Sequence, residues 1–139
     1  MLKFPTMKRS LKLILVLLTG LAVGCAIVPR APVSENAAVV ALVDGARADV
    51  TAGRFPNAAA TLERALRLEP KNPRLWQELA RVRMNEGEYA QAENLATRSN
   101  SWAGGNGELR AENWRLIAEA RAARGDDVGA KEAFERAKR

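Results

Sequence analysis

Apolar residues recur along this chain at helical spacing. Ala58, Leu62 and Leu66 share one face of a helix, as do Leu75, Leu79 and Val82. Charged residues fill the positions between them, as in Glu63, Arg64, Arg67 and Glu69, which is the solvated side of an amphipathic helix. The pattern predicts six helices, over about 37–53, 55–69, 73–86, 88–101, 108–124 and 127–138. Local punctuation supports these limits. Asn72-Pro73 is an N-cap followed by proline at the first helical position, Glu69-Pro70 ends the helix before it, and Asp126 or Asp127 can cap the last helix.

The same markers return at a fixed interval. Gly53, Gly87 and Gly125 are spaced by 34 and then 38 residues; the same offsets join Ala58, Ala92 and Ala130, and also Leu42, Trp76 and Trp114. Self-similarity at such a period signals a repeat architecture. Small residues at Ala58, Ala92 and Ala130 let the two helices of a hairpin approach closely. Bulky residues at Leu42, Trp76 and Trp114 are expected between successive hairpins, because one hairpin alone cannot bury its apolar face. Glycine just after the first helix of each pair accepts the left-handed backbone conformation.

Trp76-x2-Leu79-Ala80 and Trp114-x2-Ile117-Ala118, with Ala58-x3-Leu62, Ala92-x3-Ala96, Ala130-x3-Phe134 and a closing Pro70, resemble the tetratricopeptide repeat from about Ala37 to Lys138. The resemblance implies an all-α fold, a short right-handed superhelix of three helix-turn-helix repeats at 37–70, 71–106 and 107–139. It assigns the repeat core to Leu42, Ala58, Leu62, Trp76, Leu79, Ala92, Trp114, Ile117, Ala130 and Phe134. Several positions depart from the pattern. Gly45 stands where leucine is usual, and Asp49, Arg83 and Arg121 where tyrosine is usual. The second repeat has Ala96, Ser99 and Gly104 where a bulky residue, alanine and proline are usual, then four extra residues. The stretch Ser99–Gly107 is therefore expected to be a long, flexible connection. Two readings of Trp102 stand: it fills space on the Ala92/Leu95/Ser99 face of an extended helix, or it is an exposed anchor of the kind favoured at interfaces. The sequence stops at Arg139 with no seventh helix, so Val128, Phe134 and Ala137 are expected at an uncovered edge that meets a partner or a second copy as a homodimer.

The N-terminus follows a different rule. Lys8, Arg9 and Lys12 precede an apolar stretch from Leu13 to Val23, the order of a signal peptide. Eleven residues of helix rise only about 17 Å, short of the roughly 30 Å hydrocarbon core, so a spanning helix is not expected. Either Met1 or Met7 serves as initiator; Met7 alone leaves a compact signal. Leu21-Ala22-Val23-Gly24-Cys25 resembles the lipobox of bacterial lipoproteins, with cleavage between Gly24 and Cys25 and residues 1–24 removed. That resemblance implies a diacylglycerol thioether and an N-acyl chain on Cys25, and the outer membrane as destination, because Ala26 rather than aspartate follows the cysteine. Several acyl chains anchor stably where a single one is marginal. Residues 25–36, with Pro29 and Pro32, are expected to form a flexible tether.

Charge and composition narrow the chemistry. The chain of 139 residues carries a net +6, but residues 1–24 hold four basic residues and no acid, leaving 18 basic against 16 acidic in the remainder. No basic stripe with interleaved aromatics survives, so a nucleic-acid partner is not expected. There is no histidine and one cysteine, which excludes His/Cys zinc sites and histidine-based nucleophile systems. No cofactor, metal or catalytic residue is expected; carboxylates such as Glu86/Glu88 and Asp126/Asp127 sit at helix ends, where capping explains them. By resemblance, the concave lining falls on Val40, Val43 and Arg47, on Arg74, Gln77, Arg81 and Met84, and on Arg115, Glu119 and Ala122, with Glu78, Glu112 and Glu119 offsetting the arginines. The expected protein is a lipid-anchored envelope adaptor with a protein or peptide client. A structural spacer without a client, or a peptidoglycan-modifying enzyme, are the alternatives.

Overall fold

The computed structural model describes residues 31–139, of which Pro32–Arg139 form one compact unit. The predicted signal peptide, its cleavage site and Cys25 lie outside the described residues. Six helices follow one another: α1 (Ala37–Thr51), α2 (Phe55–Leu68), α3 (Pro73–Asn85), α4 (Tyr89–Trp102), α5 (Gly107–Ala123) and α6 (Asp127–Arg136). Each packs against the next in chain order, and α3 also touches α5. This is the all-α hairpin array expected from the period.

The three hairpin turns are built alike. Gly53, Gly87 and Gly125 all lie at positive φ, between 72° and 80°. The amide three residues past each first helix folds back onto it: Arg54 N donates to Asp49 O, Glu88 N to Arg83 O and Asp126 N to Arg121 O. A positive φ is strained for any residue with a Cβ, which is why glycine returns here. The first helix of each hairpin starts on an asparagine cap instead. Asn36, Asn72 and Asn106 accept from Ala38 N, Arg74 N and Leu109 N, each at 3.0 Å. Of the two candidate caps on α6, Asp126 is the one used, accepting from Gly129 N at 2.9 Å.

The two junctions between hairpins are filled differently. Between the first and second, Val39, Val43, Leu62, Leu66, Leu75, Leu79 and Val82 form a bulky aliphatic core. Between the second and third, the apolar filling is Ala80, Ala96, Ile117, Ala118 and Ala133. Leu62, Leu79, Ala58, Ala92 and Ile117 are buried as the repeat pattern requires. Leu42, Trp76 and Trp114 are half-buried at the margins of these cores rather than wedged through them. Arg98 lies 5.4 Å over the Trp76 ring and Arg136 4.8 Å over that of Trp114. The Trp76 indole donates to Pro70 O at 2.8 Å.

Three expectations need correction. Phe134, assigned to the core, is 48% exposed, and Ala130 is half-buried. Ala133 and Ala137 face inward on α6, and one position of helical rotation, about 100°, carries Phe134 out of the core. Ala137, placed at the open edge, is accordingly buried, whereas Val128 and Phe134 are exposed. The connection around Trp102 is not long: α4 runs through Ser99 to Trp102, only residues 103–106 lie between helices, and Ala103 is buried. The four extra residues lengthen α5, which has 17 residues against 13 in α3, about one more turn. Leu109, in that added turn, is buried.

The tether also ends earlier than expected. Val33 packs on the first core, Asn72 Nδ2 donates to Val33 O at 2.9 Å, and Ser34 Oγ donates to Glu69 Oε1 at 2.5 Å. Residues 33–36 are thus fastened to the α2–α3 turn, because their backbone and hydroxyl find partners there.

Candidate functional site

The first helices of successive hairpins present side chains that recur every repeat. Arg47 on α1 meets Glu78 on α3 at 2.6 Å, and Arg81 on α3 meets Glu112 on α5 at 3.3 Å. Arg47 and Arg81 are 34 residues apart, and so are Glu78 and Glu112. One arginine–glutamate rung is therefore repeated across each junction. Two of the four lining arginines, Arg47 and Arg81, are thus offset by Glu78 and Glu112. Between α1 and α3 lies an open groove of about 280 Å³, lined by Arg47, Val50, Thr51, Glu78, Arg81 and Asn85 among others.

Of the predicted lining residues, Arg47 and Arg81 reach this groove. Arg74 and Met84 are half-buried outside it, and Arg115 and Glu119 are exposed on α5. Val43 is buried in the first core. Gln77 is a further correction, being only 4% exposed and turned toward α5. Its Nε2 donates to Asn113 Oδ1 and to Glu112 Oε2, both at 3.0 Å. Asn113 is fully buried; its Nδ2 donates to Ser99 Oγ at 2.7 Å and Asn100 Oδ1 at 2.9 Å, and Ser99 Oγ donates to Pro73 O at 2.7 Å. The Nδ2 of Asn100 is buried without a hydrogen-bond partner. This polar chain occupies the junction where the apolar filling is mostly alanine. Asn113 escaped sequence reading because a lone asparagine in a helix carries no periodic signal; Ser99, at a position where alanine is usual, was the one visible trace.

The residues replacing the usual tyrosine also take part in joining helices. Arg83 on α3 bonds Glu63 on α2 at 3.1 Å, and Arg121 on α5 bonds Glu93 on α4 at 2.8 Å. Asp49 pairs with Arg54 across the first turn at 2.7 Å. The carboxylates at helix ends are engaged likewise, Glu86 with Arg83 at 2.7 Å and Asp126 as a cap. Trp102, under its two readings, is 38% exposed, with Lys71 Nζ 5.6 Å over its ring. The Ser99 hydroxyl meets the Asn113 amide at 2.7 Å.

Three stacked helical hairpins with a grooved face define a helical-repeat interaction scaffold, the class of array whose concave surface serves to hold other proteins. Residues 50–111 match the tetratricopeptide repeat. The globular C-terminal domain of P. aeruginosa LpoP is 40% identical, with a TM-score of 0.74, and the alignment covers 76% of this chain and 100% of that one. The N-terminal domain of stress-induced protein-1 (STI-1) from C. elegans shares the fold at 20% identity and a TM-score of 0.68, over 78% of this chain and 86% of that one. No curated protein sequence matches the chain. The chain belongs to the tetratricopeptide repeat family. Among the described residues no helix is long and apolar enough to cross a membrane.

Proposed function

We propose that the protein is a lipid-anchored adaptor of the bacterial envelope, held by Cys25 at the periplasmic face of the outer membrane and using the α1/α3 groove to bind a protein or peptide client. The observation that carries this is the repeated arginine–glutamate rung beside an open groove, on a chain whose lone cysteine closes a Leu-Ala-Val-Gly-Cys segment. Paired charges flanking an apolar floor of Val50 and Val82 suit an extended or helical segment that brings its own alternating charges. Tethering to a bilayer raises the local concentration of the scaffold near clients of the same compartment. The match to a domain that is globular and C-terminal in its own parent supports the division between a leader and a binding unit.

A photo-crosslinking residue placed at Val50 in the full chain, in living cells, tests the reading. One envelope protein should be captured from the groove and lost when Asp127 on α6 carries the crosslinker instead. Equal or absent capture at both positions argues for a spacer without a client.

A further inference from the structure

The helices alternate in direction, so the N-terminal segment, the α2–α3 turn, the α4–α5 turn and the end of α6 all lie at one end of the array. Contacts confirm the grouping. Val33 O accepts from Asn72, Lys71 reaches the Trp102 ring, and Gly107 and Arg110 border one hollow with Arg136 and Arg139. Two features of this end share one chemistry. The first is an indole–cation cluster: Lys71 over the half-exposed Trp102, and Arg98, one turn before Trp102 on α4, over Trp76. The second is a hollow of about 440 Å³ lined by Gly107, Arg110, Ala111, Trp114, Arg136 and Arg139, with no acidic side chain among its lining residues. Glu69 at this end is held by Ser34 and Asn72, and Glu135 by Lys138; Glu35 and Glu108 are exposed there, set against Lys71, Arg98, Arg110, Arg136 and Arg139. The opposite end carries Glu86, Glu88, Asp126 and Asp127 at its turns.

We infer that this end of the array docks on an anionic phospholipid surface. Indoles partition to the headgroup layer, and arginine and lysine are drawn to anionic headgroups, each adding attraction that salt screens. Three arginines border the hollow, Arg110, Arg136 and Arg139, and the guanidinium group is the side chain best suited to phosphate. Chain length points the same way, and this step rests on the reading of Cys25 as the lipid anchor. Eight peptide units separate Cys25 from Val33, a reach of about 28 Å at most, so the end to which Val33 is fastened stays close to the bilayer. Docking would leave the acidic end pointing into the periplasm and the α1/α3 groove open to its side.

The test uses the full chain, processed and acylated in a bacterial host, with a polarity-sensitive dye at Leu68→Cys or, as control, at Glu88→Cys. Leu68 is 54% exposed at the docking end, and Glu88 is exposed at the other. On vesicles containing phosphatidylglycerol, the Leu68 dye should shift to shorter wavelength and be quenched by headgroup-labelled lipid, while the Glu88 dye keeps its aqueous emission. Phosphatidylcholine vesicles, high salt, or the pair Arg110→Glu and Arg136→Glu should each reduce the shift. Aqueous emission from both dyes on protein that floats with the vesicles overturns docking and leaves the anchor intact, with the patch then free for a protein. Protein that carries no acyl chain and does not float removes the anchor reading, and the docking proposal with it.

Discussion

Gln77 on α3 donates its side-chain amide to Asn113 on α5 at 3.0 Å, and both residues are buried at the junction of the second and third hairpins. The first junction is closed by aliphatic volume, the second by this hydrogen-bonded chain among alanines. A buried amide that loses its partner keeps the desolvation cost of its burial.

Asn113→Ala should therefore destabilise the fold by about 2–3 kcal/mol, through stranded partners and a small cavity. For a unit of this size each kcal/mol lowers Tm by roughly 4 °C, readable by far-ultraviolet circular dichroism. Gln77→Ala added to it should cost less than the two single losses together, since both remove one bond. Full additivity would show that the two amides act independently.

Gly45 lies exposed within α1, and a Cβ added there meets nothing within 4 Å. Gly45→Ala should stabilise by about 0.5–1 kcal/mol from helix propensity and a less flexible unfolded chain. Gly53→Ala should do the reverse, because its φ of 72° penalises a side chain even though the space is open. Urea titration of the two variants checks the opposite signs.

Trp76→Phe removes the indole donor to Pro70 O while keeping an aromatic ring, and should cost about 0.5–1.5 kcal/mol. Trp76→Ala should cost about 2–4 kcal/mol, because the ring is half-buried against the first core. Trp102→Ala, at an exposed site, should cost less than either in aqueous solution. Equal losses for Trp76→Ala and Trp102→Ala in thermal melts would contradict the burial difference.

The hydrogen bond and charge of Lys138 hold the Glu135 carboxyl below the usual glutamate range, with smaller help from Lys131 and Arg139. A depressed folded-state pKa adds stability that is present above the ordinary glutamate value and is lost as pH falls through the lowered one. The expected effect is local: the last turn of α6 frays on acidification, and a Lys138→Met variant returns the Glu135 titration toward normal. Carboxyl chemical shifts followed by NMR against pH measure it.

Cys25→Ser should abolish acyl labelling and shift the protein from the membrane fraction to the soluble fraction of the envelope. Unchanged acyl labelling in that variant would contradict the lipobox reading.

Helix identity and phase were legible in the residues themselves. The glycine at each hairpin turn and the alanines at Ala58 and Ala92 leave a record that repeats at the period of the array, and the Asn72 cap was legible beside Pro73; the matching caps Asn36 and Asn106, with no proline after them, were seen only in the structure. Burial of Leu62, Leu79 and Ile117 followed from the same periodicity. The misassigned positions depend on what lies across the interface. Gln77 and Arg81 are one turn apart on α3 and both reach Glu112 on α5, yet Gln77 is buried against Asn113 while Arg81 stays exposed at the rim of the junction. Phe134 matched a core position by spacing, but Ala133 and Ala137 are the residues that face α5. Residues 33–36 read as tether until Glu69 and Asn72 supplied partners from 35 or more positions away. Short-range geometry determined the helices and their turns; only the packed array decided which polar groups went inside, because desolvation is set by neighbours distant along the chain.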